Sequence, residues 1–297
     1  MQFSVIIPTC NRQKEIDISI KSVLAQTFND FELIVVDNGS TDNTKSVVEK
    51  YINIDSRVKY IWQENTGSPA GSRNTGIKNA IGQWVAFLDS DDYWYGNKLE
   101  SVFNIIKKHQ DIIAVSHYED KMIDGKHNSI LYHGDDLDNN NMYYQLLFKG
   151  NNLSTSAMVV RKDKLIEVGC FDERMDYFAV EDYDLWMRLS KLGKFYFIKE
   201  ILGAFCISSN NMSGHIELIN NNLKTLVLNH IDELDILNKQ KLKKKHAARI
   251  DYYKGRAYQI SGNRKKAIKF LFNSIKDYPF SLKKYISLLF AIFNIRK

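Results

Sequence analysis

The stretch Trp84-Val85-Ala86-Phe87-Leu88-Asp89-Ser90-Asp91-Asp92 decides the fold, because five apolar residues run directly into a carboxylate cluster. A short, unbroken apolar run is the pattern of a strand buried on both faces, as in a parallel sheet covered by helices. Upstream, residues 3–8 and 31–36 read the same way, and 58–62 reads as a further strand. Between them, helical spacing predicts helices over 15–26 (Ile16, Ile20, Val23, Leu24), 44–51 and 72–80. Strands alternating with helices predict an α/β layer with a parallel sheet, in which ligands bind beyond the carboxyl ends of the strands. Pro8-Thr9, Asp37 and Asp89-Ser90-Asp91-Asp92 lie at those ends, so three polar clusters are expected on one edge.

Further along, residues 112–116 and 155–160 read as strands, and 181–192 as a helix with Leu185, Leu189 and Leu192 inward. Beyond Gly214 the periodicity is helical. Gly255, Tyr258, Gly262, Ala267, Leu271, Ile275 and Pro279 fall in the order of one tetratricopeptide-type helix pair. A single pair cannot build a solenoid, so a packed helical appendage is expected. The expected division is a catalytic domain over 1–215 and a helical region over 216–297.

With 44% hydrophobic and 26% charged residues in 297, the composition is that of a soluble globular protein. No apolar run reaches the length of a membrane span, and Met1 opens no signal-peptide pattern. Cys10, Cys170 and Cys206 are far apart and odd in number, which points to a reducing, cytoplasmic compartment. No zinc-type ligand spacing occurs. The net charge of +6 conceals an asymmetry: residues 216–297 carry 18 Lys+Arg against 6 Asp+Glu, while residues 1–215 are net acidic. The basic region either faces an anionic partner or is a solvated, lysine-rich helical surface. No nucleic-acid partner is expected.

Carboxylates crowded at one strand end repel one another unless a cation or hydrogen-bond donors meet them. Hard oxygen ligands at an open position suit Mg²⁺ or Mn²⁺, held by one or two carboxylates with phosphate and water completing the shell. An acidic helix cap is the competing reading of Asp89, Ser90 and Asp91. Asp37 can accept from a base or a ribose hydroxyl, or it can close an Asx turn in Asp37-Asn38-Gly39-Ser40. Arg73 and Asn74 suit phosphate or base contacts, or a surface salt bridge. Asp182, beside Glu181, can act as a general base on a hydroxyl or can cap the helix. The sequence holds no G-x-G-x-x-G, no P-loop and no G-x-S-x-G elbow.

Taken together, five segments resemble the family 2 glycosyltransferases, which have the nucleotide-diphospho-sugar transferase (GT-A) fold. They are Ser4-Val5-Ile6-Ile7-Pro8-Thr9 with Asn11-Arg12, Ile34 through Asp42, Ser72-Arg73-Asn74-Thr75-Gly76-Ile77, Phe87 through Asp92, and Glu181 through Trp186. The resemblance implies an α/β fold with a mixed sheet flanked by helices. It implies that Pro8, Thr9 and Asp37 hold the nucleotide base, usually uracil, with Asn11 and Arg12 beside them. Arg73 and Asn74 would line the donor pocket, and Asp89 with Ser90 would touch ribose or sugar. Asp91 would bind the metal, Mn²⁺ or Mg²⁺. Asp182, with Glu181 alongside, would deprotonate the acceptor, giving inversion of one hexose taken from a UDP-sugar. The acceptor implied is a lipid-linked glycan, as in O-antigen, capsule or glycoprotein glycan assembly.

One departure bears on the metal: the histidine that relatives often place before an Asn-x-Ser pattern is Ser208 here, with His215 seven residues on. Processive synthases of the family carry Gln-x-x-Arg-Trp and membrane spans; this sequence has neither, so one sugar per visit is expected. A non-catalytic scaffold of the same fold is the alternative. Finally, residues 285–293 form an apolar run with Lys283-Lys284 and Arg296-Lys297 at its flanks. It either lies in an anionic membrane interface, making the protein peripheral on the inner face of the cytoplasmic membrane, or packs on the catalytic body.

Overall fold

A computed structural model describes residues 1–208 and 216–295. The chain divides into two compact units, one of Met1–Met175 with Glu181–Asn211, the other of Asp176–Val180 with Met212–Lys297.

The first unit is built on a mixed sheet. Strands β1 (Phe3–Thr9), β2 (Phe31–Asn38), β3 (Val58–Gln63) and β4 (Trp84–Phe87) alternate with helices α1 (Ile16–Leu24), α2 (Thr44–Ile52) and α3 (Pro69–Asn79). They pair in parallel in the order β3-β2-β1-β4, as the apolar runs predict. β1 and β2 are buried at every position, which is why they read as unbroken hydrophobic segments. Next in the chain come β5 (Tyr93–Trp94), α4 (Lys98–Lys108), β6 (Ile112–Ile123), β7 (Lys126–Leu131) and α5 (Met142–Lys149). They are followed by β8 (Val159–Arg161), α6 (Lys162–Glu167), α7 (Glu181–Leu189) and β9 (Lys194–Ile207). The sheet continues β4-β8-β6-β9-β5, with β8 antiparallel to both neighbours, β6 parallel to β9, and β7 a hairpin partner of β6. The core beneath it includes Phe3, Val5, Ile7, Leu33, Val35, Ala86 and Leu88.

Two local features aim α3 at the sheet edge. Ser68 caps its first turn by accepting from the Ala70 N–H at 3.2 Å, with Pro69 preset at the first helical position. At Gly76 a Cβ would sit 2.5 Å from Ile6 Cγ2, so only glycine lets the helix lie this close to β1.

Three expectations change. Residues 155–157 form a 3-10 turn, not the start of a strand, and the strand begins at Val159. Helix α7 stops at Leu189, so Leu192 lies outside it and is exposed, not inward. β6 runs well past residue 116, to Ile123, because it is paired along its length by β9 and β7.

The second unit holds α8 (Ile216–Glu233), α9 (Lys239–Ile260), α10 (Arg264–Asp277) and α11 (Leu282–Ile292). α9 and α10 are a close pair: a Cβ at Gly255 would come within 2.6 Å of Leu271 Cγ. Tyr258, Ala267, Leu271 and Ala291 form a small apolar cluster there. No helix among the described residues is long and apolar enough to cross a membrane.

Candidate active site

The carboxyl end of β4 delivers Asp89 to the centre of a charge network. Arg73, projecting from α3 and only 4% exposed, donates to Asp89 Oδ1 at 2.6 Å and to Glu181 Oε1, at the start of α7, at 2.8 Å. Burial works against the guanidinium charge, yet Asp89 and Glu181 outweigh it and hold Arg73 more firmly protonated. The surface salt bridge weighed for Arg73 is therefore an interior one, and removing one partner of such a pair costs about 3–5 kcal/mol. Arg73 Nε and Glu181 Oε2 are buried with no hydrogen-bond partner, as is Thr9 Oγ1 at the end of β1. Unpaired buried polar atoms are costly and draw attention to a ligand.

Asp91 lies 3.5 Å from an Arg12 guanidinium nitrogen. Burial and the Asp89 charge push its carboxyl up to about 6, with Arg12 pulling the other way. Asp182 accepts from Thr155 Oγ1 at 3.2 Å and from the Tyr183 N–H at 2.7 Å. Burial, reinforced by Glu181 and opposed by Arg73, pushes its carboxyl up to about 7. Asp89 and Asp182 line one cleft of about 390 Å³, together with Tyr132, His133, Asn152 and Phe205. A larger hollow of about 600 Å³ opens beside Gln2 and Trp84, at the amino-terminal ends of β1 and β4. Of its cations, Arg161 is engaged by Asp163 at 2.6 Å and Lys162 by the Ala80 carbonyl, while Lys107 lies over the Phe103 ring at 5.4 Å. The smaller cleft, which holds Asp89 and Asp182, is the candidate site.

Other residues singled out in the sequence are placed differently. Asp37 is fully buried, and its oxygens accept from the Ser40 N–H at 2.8 Å and the Tyr60 hydroxyl at 2.7 Å. Asp37 thus closes the local turn, through the N–H three residues on, not the two of the Asx turn weighed for it, with Gly39 at a φ of +76°. Asn11, at a φ of 53°, uses its side-chain oxygen to accept from the Thr41 and Asp42 N–H groups, tying the end of β1 to that turn. Pro8 lies within β1 opposite Val36. Asn74 donates to the Phe171 carbonyl at 2.9 Å and to Glu173 at 2.7 Å, and accepts from the Phe171 N–H, so it braces that loop. Ser90 is buried, its carbonyl accepting from Ser19 at 3.0 Å. Ser208 is exposed, and His215 lies outside the described residues.

Sequence reasoning missed a second cluster directly behind the site. Asp92 accepts from Ser156 Oγ at 2.6 Å and from the Cys206 N–H at 2.7 Å. The same Ser156 hydroxyl accepts from the Asp89 N–H at 3.0 Å. The Ser156 carbonyl receives Lys98 Nζ at 2.8 Å and Trp94 Nε1 at 2.9 Å. Burial drives Asp92 well above and Lys98 well below their usual ranges, so both lean towards their neutral forms. The signal available was Lys98 on the apolar side of α4, one residue before Leu99, where an ordinary surface lysine does not fit.

Among the described residues, no group of three or more histidine, cysteine, aspartate or glutamate side chains is arranged to hold a metal. The donor set that is present, Asp91 with Asp89 nearby, fits an ion held by one or two carboxylates and completed by substrate phosphate. Burial is the main cause of the raised Asp91 carboxyl, and the Asp89 charge that adds to it is repulsion such an ion would relieve.

The model of glycosyl transferase family 2 matches residues 4–169. The chain is 32% identical over 281 residues to a GalNAc(5)-diNAcBac-PP-undecaprenol beta-1,3-glucosyltransferase of Campylobacter jejuni, covering 92% of this chain and 88% of that one. It is 33% identical over 209 residues to an uncharacterised glycosyltransferase of Rickettsia prowazekii, covering 67% of this chain and 62% of the relative's length. Among solved structures, residues 1–349 of Staphylococcus aureus TarS in complex with UDP-GlcNAc align with a TM-score of 0.69 at 20% identity, over 100% of this chain and 88% of that one. That alignment shows a GT-A fold. The chain belongs to glycosyl transferase family 2.

Proposed function

We propose that the chain transfers one hexose from a nucleotide sugar, UDP-linked, to a hydroxyl of a lipid-linked glycan acceptor, with inversion. The observation that carries this reading is the cleft that Asp89 and Asp182 share, with the Asp182 carboxyl pushed up to about 7. A base works best when its pKa lies near the operating pH, because a neutral-pH carboxylate of pKa 4 takes up a proton weakly. Asp182 takes the acceptor proton as the hydroxyl oxygen bonds to the anomeric carbon, while the carbon–oxygen bond to the diphosphate breaks. A single displacement of this kind inverts the anomeric centre.

The nucleotide side of the reading rests on Thr9, whose hydroxyl is buried and unpartnered, and on the turn organised by Asp37 and Asn11. Arg73 holds Asp89 and Glu181 in fixed positions for the sugar, and Asn74 fixes the loop beside them. Pro8, Arg12 and Ser90 complete the donor side. A Mg²⁺ or Mn²⁺ ion would be held by Asp91, with Asp89 adjacent, and would neutralise charge developing on the leaving diphosphate. The acceptor assignment draws on the Campylobacter relative, whose substrate is an undecaprenol-linked glycan.

The test is release of UDP from UDP-glucose, UDP-galactose or UDP-N-acetylglucosamine in the presence of an undecaprenyl-diphosphate-linked glycan. Transfer is expected with one of them, lost on chelation and in Asp91→Ala. Full transfer by Asp182→Asn would remove Asp182 as the base.

A further inference from the structure

Helix α11 leaves most of its large apolar residues outside. Its most buried positions are Lys284, Ser287 and Ala291, each 6% exposed or less, with Leu288 half-buried against the cluster that Ala291 joins. Its outward positions are Leu282 at 75%, Ile286 at 41%, Leu289 at 52% and Phe293 at 71%. Those four recur at i, i+4, i+7 and i+11, a single stripe on the helix surface, and Tyr285 at 42% lies beside it. In a helix packed for the core alone, that stripe would be the buried one. Its rotation is fixed by polar anchors together with the small apolar contact of Ala291 and Leu288. Lys284 Nζ donates to the Ser274 and Tyr278 carbonyls, both at 2.9 Å, capping the end of α10, and Ser287 meets the Tyr252 hydroxyl at 3.3 Å. Turning the apolar stripe inward would break all three contacts.

The neighbouring helix carries a stripe of a different kind. On α10 the apolar residues Ala267 and Leu271 face inward, while Lys265, Lys269, Phe272 and Lys276 are exposed at the same i, i+4, i+7, i+11 spacing. Phe280, 78% exposed, stands in the turn between the two helices. The same surface of a second copy is a poor occupant, because residues 216–297 have a large excess of lysine and arginine and would repel themselves. An apolar stripe on one helix with a basic, phenylalanine-bearing stripe on the next fits the boundary of a bilayer, with acyl chains for the first and anionic headgroups for the second.

We propose that the α10–α11 surface docks on an anionic lipid bilayer, with Leu282, Ile286, Leu289, Phe293 and Phe280 inserted into the acyl boundary and Lys269 and Lys276 on headgroup phosphates. The proposal rests on the packing of α11, and its test requires no transfer activity, so it fails or survives independently of the reaction above.

The full chain is to be sedimented with vesicles of phosphatidylcholine containing phosphatidylglycerol, at low salt, beside pure phosphatidylcholine vesicles. Binding is expected to the anionic vesicles and to weaken with salt. The variant Leu282→Ser/Leu289→Ser/Phe293→Ser is expected to bind roughly tenfold or more less tightly, with its helical circular dichroism unchanged because the residues are exposed. Lys269→Glu/Lys276→Glu is expected to lower anionic binding by a similar factor, roughly tenfold, and to flatten the salt dependence. A chain that stays in the supernatant at low salt, or an apolar variant that binds as wild type does, overturns the proposal. So does a dimer in sedimentation equilibrium that the apolar variant dissociates, since the stripe is then a self-contact.

Discussion

Two acidic clusters sit back to back at the end of β4, and they treat charge in opposite ways. On the cleft side Arg73 stays charged, held in the fork of Asp89 and Glu181, with Asp182 across the same network. On the inner side Asp92 and Lys98 are both buried, and burial drives each towards neutrality instead of pairing them. Ser156 is the hinge between the two, its hydroxyl bonded to Asp92 on one side and to the Asp89 N–H on the other. On the proposed reading, the contrast separates chemistry from scaffolding within a run of four residues. A carboxylate beside fixed cations and open space can exchange a proton with substrate, whereas one enclosed with neutral donors holds two strands together.

The same substitution at two positions tests this most strongly. Asp182→Asn keeps shape and removes the base, so the transfer rate is expected to fall by about 10²–10⁴ while donor affinity, measured by calorimetry, stays within a factor of about two. Asp92→Asn keeps an oxygen for the Cys206 N–H and a polar group for Ser156, and Asp92 already leans towards its neutral form. Its cost is expected to stay below about 1 kcal/mol in denaturant unfolding. Loss of transfer by Asp92→Asn with Asp182→Asn active would reverse the two assignments.

Truncation should then reveal the inner cluster's structural role. Asp92→Ala leaves the Cys206 N–H and the Ser156 hydroxyl without an acceptor, a penalty of about 2–4 kcal/mol for two stranded groups. A melting temperature lowered by several degrees, with activity recovered on cooling, is the expected result. Gly76→Ala should act on the other side of the divide. Its Cβ meets Ile6 at 2.5 Å, so α3 must shift, at a cost of about 1–3 kcal/mol, and Arg73 shifts with it. The readout is a raised KM for donor beside the lowered stability; a purely structural role for Arg73 predicts lowered stability alone.

Most of the parallel half of the sheet was legible because doubly buried strands have no polar face to disguise them, as β1 and β2 show. The far half was not, since the pairing of β6 with β9 joins residues some eighty positions apart and β6 carries Ser116, His117 and Glu119 buried within it. Local pattern cannot anticipate polar residues made acceptable by partners so distant. Asp89, Asp91, Arg73, Glu181 and Asp182, which belong to or adjoin the candidate site, stand out in the sequence at strand ends and near helix starts. Thr155 and Ser156 were missed because they run into the apolar Met158-Val159-Val160 and read as the start of that strand. At α11 the helix was readable, but which of its faces turns inward depends on Lys284 reaching the carbonyls at the end of α10.

A further modest effect sets Asp182 apart by pH. The folded Asp182 carboxyl, at about 7, lies above its ordinary value of 3.8. The folded state therefore binds more protons than the unfolded chain across that window, and stability falls as pH rises through it. Asp182→Asn removes the penalty, so above pH 7 the variant should be more stable than wild type by about 1–2 kcal/mol, allowing for screening of a partly exposed group. At pH 4 the two should converge. The same ionisation governs reaction in the opposite sense, because only the ionised carboxylate accepts a proton. Wild-type kcat/KM should rise with pH along a limb centred near 7. A limb that persists unchanged in Asp182→Asn would assign it to another group, and Asp91, pushed up to about 6, is the next to test.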